Sequence, residues 1–154
     1  MPRQVLTISL LVVGCSADDV RGDYFDVTFK GVTDECSGGP ALFDETLEYR
    51  VIVEGQGVEV AVGPDVFATG TANGCDISYT SVVWTEERND FRVSWQIAGF
   101  AVVNLGGAQG CPLEGGLDWL GEETFEIITS EDPSLRPGCT YTSSAEGVYL
   151  ETIQ

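Results

Sequence analysis

Apolar and polar residues alternate with a period of two along most of this chain. Phe25, Val27 and Phe29 alternate with Asp26, Thr28 and Lys30. Leu47, Tyr49, Val51 and Val53 alternate with Glu48, Arg50 and Ile52, and Val58, Val60 and Val62 with Glu59 and Ala61. That period puts successive side chains on opposite faces of strands buried on one side. Further strands are expected at 66–72 and 77–83. Another is led by Phe91, Val93, Trp95 and Ile97 and continues over 98–105 past a bulge at Gly99. The last two are expected at 124–129 and 140–150, the final one interrupted near Gly147. Turn residues separate them: Gly55-Gln56-Gly57, Gly63-Pro64-Asp65, the hairpin signal Asn73-Gly74, and Arg88-Asn89-Asp90. A Gly-rich loop fills 106–121, and Pro133 and Pro137 make 130–138 a loop. One helical turn is expected at 41–46, and no segment has a sustained helical period. The reading is all-β: an antiparallel up-and-down meander of about eight strands closed as a barrel, with a β-sandwich as the alternative.

The first residues do not fit the meander. Arg3 precedes an apolar run over 5–13 that is broken only by Thr7 and Ser9, and Val12-Val13-Gly14 leads into Cys15. The run is too short for a hydrocarbon core that takes ~20 residues to cross. It matches a signal-peptide apolar region behind a short basic start. The segment VVGC resembles the lipobox of bacterial lipoproteins. The resemblance implies cleavage before Cys15, acylation of its sulfur and new amino group, and a membrane anchor made of lipid. Ser16 follows the cysteine where an Asp would mark retention, which by analogy favours the outer membrane. The expected organisation is a signal peptide at 1–14, a tether at 15–21 and one domain at 22–154.

Composition then narrows the partners. The chain carries 25 acidic and 7 basic residues and no His, a net charge of −18. Such a field repels nucleic acid and anionic headgroups, so attachment to a membrane falls to the acyl chains. The hydrophobic content of 43% separates the chain from disordered acidic sequences. Besides Cys15 there are four cysteines, widely spaced, which in an exported chain read as two disulfides rather than a zinc site. If the strands form a simple meander, counting rims pairs Cys36 with Cys139 at one end and Cys75 with Cys111 at the other. The first bridge would then staple the closure between the first and last strands.

An eight-stranded meander of this length resembles the lipocalin-type barrels, and Gly22-Asp23-Tyr24-Phe25 is similar to the Gly-x-Trp start of their first strand. The resemblance covers architecture and four residues. It implies an interior that either fills with side chains or holds one small ligand.

No constellation for catalysis stands out. Without His the usual general base is missing. The acidic pairs Glu86-Glu87, Glu122-Glu123 and Glu131-Asp132 are expected on strand faces or in loops, and neither Asp34 with Glu35 nor Asp118 with Glu122 makes a calcium loop. No catalytic residue, cofactor or metal is expected. The candidate ligand-binding residues are the aromatics on the apolar phase: Phe25, Tyr49, Tyr79, Phe91 and Trp95. Trp84, on the opposite phase, and Trp119, in the Gly-rich loop, are aromatics outside that set. The expected function is non-enzymatic: an exported, lipid-anchored domain that binds an apolar small molecule in its barrel, or else presents a surface to a protein or glycan. A carboxylate-based hydrolase is the remaining alternative.

Overall fold

The computed structural model describes residues 20–36 and 45–154. The leader, Cys15 and most of the expected helical turn at 41–46 lie outside the described residues, and Glu45 and Thr46 of that stretch open a strand.

Nine strands follow in order: β1 (Gly22–Asp34), β2 (Glu45–Glu54), β3 (Gly57–Val62), β4 (Asp65–Asn73), β5 (Asp76–Ser81), β6 (Trp84–Arg88), β7 (Phe91–Val103), β8 (Trp119–Ser130) and β9 (Thr140–Ile153). All pairings are antiparallel. Each strand pairs with the next except where β7 is shared. Its first residues pair with β6 and its later ones with β5, and β1 pairs with β9. The result is a closed eight-stranded barrel with β6 as an added strand. Both disulfides form as the rim count expected, Cys36–Cys139 and Cys75–Cys111.

Several local expectations change. The strand expected at 77–83 ends at Ser81, and β6 is a separate strand made from the next residues. The break is stitched by Ser81, whose hydroxyl accepts from the Ile97 N–H at 2.8 Å and whose carbonyl accepts from Gln96 at 3.1 Å. Asn89 and Asp90 make the β6–β7 turn with φ of 49° and 68°, which these two residue types tolerate best after glycine. There is no bulge at Gly99, which keeps register with both Tyr79 and Glu123. The β7–β8 irregularity lies at Ser94/Trp95 instead. β9 runs through Gly147 without a break. β8 begins at Trp119, so the last part of the expected Gly-rich loop is strand.

The barrel has two unlike ends. At one, Trp119 plugs the interior at 0% exposure, with its ring 5.6 Å from Phe25 and 5.7 Å from Tyr49. Gly147 faces Trp119 across the β8–β9 pair, and a Cβ there would stand 3.0 Å from that of Trp119 and 2.8 Å from the Asp26 carbonyl. Only glycine leaves room for the plug. At the other end a second, smaller apolar cluster joins Val93, Trp95, Ile127, Leu135 and Tyr141 to the Cys36–Cys139 bridge.

Candidate ligand cavity

A cavity of about 540 Å³ occupies the end of the barrel opposite Trp119. Its walls are mainly apolar and aromatic: Phe29, Leu47, Phe67, Trp84, Ile97 and Phe125 contribute. Tyr141 stacks on Phe125 with ring centroids 4.7 Å apart. Phe67 owes its place to a bulge. Val60 pairs with Ala68 and Ala61 with Val66, so Phe67 is the extra residue of β4. A bulge re-aims a side chain. Here it brings the Phe67 ring to 5.4 Å from Tyr49 and 6.3 Å from Tyr79.

One buried charged group lies in this apolar wall. Glu123 is 1% exposed and is the one buried carboxylate among the described residues. It sits on the inward phase of β8, which runs Trp119, Gly121, Glu123, Phe125, Ile127. Its strand neighbours are small: Gly99 stands opposite on β7 and Ser143 on β9. Glycine is needed at position 99, because a Cβ there would lie 2.3 Å from the Tyr79 ring. The space lets the Tyr79 hydroxyl donate to Glu123 Oε1 at 2.6 Å while the Tyr49 hydroxyl donates to the same oxygen at 2.8 Å. Oε2 has no partner among the described residues, and it is not one of the sealed-in, unpaired polar atoms. Glu123 also forms part of the cavity wall. The second carboxylate oxygen therefore faces the cavity.

Burial pushes the Glu123 carboxyl above the usual carboxylate range, and the two phenolic donors partly offset this by favouring the anion. Burial, and then the negative charge of Glu123, push both Tyr49 and Tyr79 well above the usual phenol range, so both remain donors. Two further carboxylates, Glu45 and Asp65, line the mouth. Among the described residues, no Lys or Arg lines the cavity.

The expected ligand residues divide. Tyr49 lines the cavity, and Tyr79 reaches it through Glu123. Phe25 is packed at the closed end between Trp119 and Tyr149. Trp95 stands behind the wall, 6.2 Å from Tyr141 and 5.8 Å from the Arg88 guanidinium. Phe91 is 37% exposed at the start of β7, away from the cavity. Trp84 does line the cavity, and Trp119 is core rather than loop. Glu123, for which the Glu122-Glu123 pair suggests only a strand face or a loop, is the site residue that the sequence pattern does not single out. The signal was present in the sequence: two steps back from Phe125 on the same phase lies a carboxylate.

The other acidic candidates are held by the fold. Asp118 accepts from Asn104 at 3.1 Å and from the Tyr149 N–H at 2.9 Å. Asp34 accepts from the Cys36 N–H at 2.8 Å and Glu35 from the Thr140 hydroxyl at 3.1 Å. Among the described residues no three Cys, Asp or Glu side chains converge as a metal site.

No protein-family model matches the chain, and no curated protein sequence or solved structure is significantly similar to it.

Proposed function

We propose that this protein is an exported lipoprotein, anchored through an acylated Cys15, whose barrel carries an apolar small molecule without transforming it. The cavity carries this reading. Its volume of about 540 Å³ is that of a small-molecule site, and its walls are mainly apolar and aromatic. A structural or adhesive module has no use for that space, because protein interiors otherwise pack to crystal-like density. A hydrolase of the two-carboxylate type needs a second carboxylate across the scissile bond. The other carboxylates on this cavity, Glu45 and Asp65, are exposed at its mouth, and Glu123 is the one buried carboxylate among the described residues. The leader and the VVGC segment support export and lipidation, and Ser16 supports the outer membrane as the destination.

The test is titration of the purified protein with the neutral fluorophore N-phenyl-1-naphthylamine. Saturable enhancement at one site per chain is expected, and Ser143→Phe, which fills the cavity beside Glu123, should abolish it. No saturable binding to the wild-type protein would overturn the carrier reading. For the anchor, Cys15→Ser in a bacterial host should end palmitate labelling and release the chain from the membrane fraction. Labelling that persists would refute the lipid site.

A further inference from the structure

We infer that the ligand of this barrel is an apolar molecule bearing a protonated amine, and that Glu123 Oε2 receives the ammonium group. The inference rests on the carrier reading and adds the chemical class of the ligand. Three observations meet at the cavity. First, Glu123 is 1% exposed, with one oxygen saturated by two phenolic donors and the other turned to the cavity without a partner among the described residues. A buried carboxylate half satisfied in this way is costly unless something completes it. The missing partner must be a donor, and a positively charged donor offsets the most. Second, the other titratable groups in the wall are Glu45 and Asp65 at the mouth and the phenols Tyr49 and Tyr141. None is cationic, so the cavity provides no counter-ion for an anionic ligand and repels one on approach. The net charge of −18 extends the same preference to long range. Third, the walls around the carboxylate are aromatic rings, among them Phe29, Phe67 and Phe125. Ring faces attract cations as well as burying apolar bodies.

The two hydroxyls also set direction. Tyr49 and Tyr79 approach the carboxylate from β2 and β5, and both bind Oε1. They hold the carboxyl group in one rotamer before any ligand arrives, which lowers the ordering cost of binding. The Glu123 side chain is thus positioned as a receptor, with its free oxygen aimed at the space the ligand fills.

The experiment compares three probes with one apolar body: 1-naphthylmethylamine, 1-naphthalenemethanol and 1-naphthoate. Each is titrated calorimetrically into the purified protein at pH 7. A charge-assisted hydrogen bond to Glu123 predicts that the amine binds about 10- to 100-fold more tightly than the alcohol. The carboxylate should bind more weakly than either. Glu123→Gln keeps an acceptor for both tyrosines and should bring the amine down to the affinity of the alcohol, leaving the alcohol itself little changed. Equal binding of amine and alcohol to the wild-type protein would overturn the inference while leaving the carrier reading in place. Failure of all three probes to bind would count against the carrier reading itself. The wild-type comparison decides the matter even if the Gln variant does not fold.

Discussion

The two ends of this barrel are built from the same strands and treat their carboxylates in opposite ways. At the closed end Asp23 accepts from the Gly106 N–H at 2.8 Å and from the Thr152 hydroxyl at 2.6 Å. Asp118 there holds Asn104 and the backbone of Tyr149. These carboxylates tie the chain between β7 and β8 across an interior already plugged by Trp119, Phe25 and Tyr149. At the open end Glu45 and Asp65 line the mouth and Glu123 lies in the wall, and none of the three is paired with a cation among the described residues. Side-chain size along β9 shows how one sheet produces both. Its inward positions run Tyr141, Ser143, Ala145, Gly147 toward the closed end, and the facing positions on β8 run Phe125, Glu123, Gly121, Trp119. The largest side chain of the plug stands opposite the smallest, so that end fills. Beside Glu123 stand Gly99, over which the Tyr79 ring lies, and Ser143, which forms part of the cavity wall.

The comparison breaks first if the two ends are equally important to stability. Trp119→Ala removes the plug and leaves a void that three packed aromatic neighbours cannot close, so a loss of ~3–5 kcal/mol is expected. Phe67→Ala enlarges a cavity that is already open, and its half-buried ring contributes less, roughly 1–2 kcal/mol. Urea unfolding followed by far-ultraviolet circular dichroism measures both. Equal losses would mean that the open end is as tightly packed as the closed one.

The two bridges sharpen the same contrast. Cys36–Cys139 spans 103 residues of sequence and Cys75–Cys111 spans 36. By loop entropy each contributes about 2–4 kcal/mol or slightly more, the longer loop by about 1 kcal/mol over the shorter. Their effect on binding should differ in kind. Replacing Cys36 and Cys139 by Ala frees the β1 and β9 ends that flank the mouth and should weaken fluorophore binding. Replacing Cys75 and Cys111 should lower the unfolding midpoint and leave fluorophore affinity unchanged. An equal loss of affinity in both variants would show that the cavity depends on the whole barrel rather than on its rim.

Most of the architecture was legible in the alternation of residues, because one-sided burial imposes a period of two and the turns carry Gly, Asn and Asp. The bridges followed from strand order alone. What was not legible traces to two physical causes. β6 is not expected from the pattern, and the strand before it reads too long because Val82 and Val83 continue an apolar run, although both stand in solvent at 73% and 48% exposure. The site was hidden because the apolar phase of β8 is interrupted by a charge. Starting that strand at Thr124 put Glu123 outside it and Trp119 in a loop. A carboxylate among 25 carries no signal by itself. Its phase does, once Phe125 and Ile127 fix which positions face inward. Likewise no pattern distinguishes Phe67 from a core aromatic, since the bulge that aims it depends on pairing with β3.

The smallest expected effect tests the contrast at a single proton. Burial raises the Glu123 carboxyl above its unfolded value, so the native state holds its proton to higher pH than the unfolded chain does. The stability linked to this group is then fully present below the unfolded value of ~4.3 and is lost as pH rises through the raised native value. Asp132, half-buried in the β8–β9 connection, has the opposite sign. The Ser134 hydroxyl and N–H both donate to it and hold its carboxyl below the usual range, so its contribution is present at neutral pH and lost on acidification. Melting temperatures of wild type, Glu123→Gln and Asp132→Asn across pH 2 to 8 separate the two. The other carboxylates are common to all three proteins and cancel in the differences. The Gln variant should gain on the wild type as pH rises from 4 to 7, whereas the Asn variant should trail the wild type by a constant margin over that interval and close the gap only as pH falls below about 4. Saturating 1-naphthylmethylamine should reverse the first trend, because a bound ammonium makes the ionised Glu123 the favoured form. A difference between wild type and Glu123→Gln that stays flat with pH would mean that the carboxyl group is solvated, and the open end of the barrel would then be no different electrostatically from its outer face.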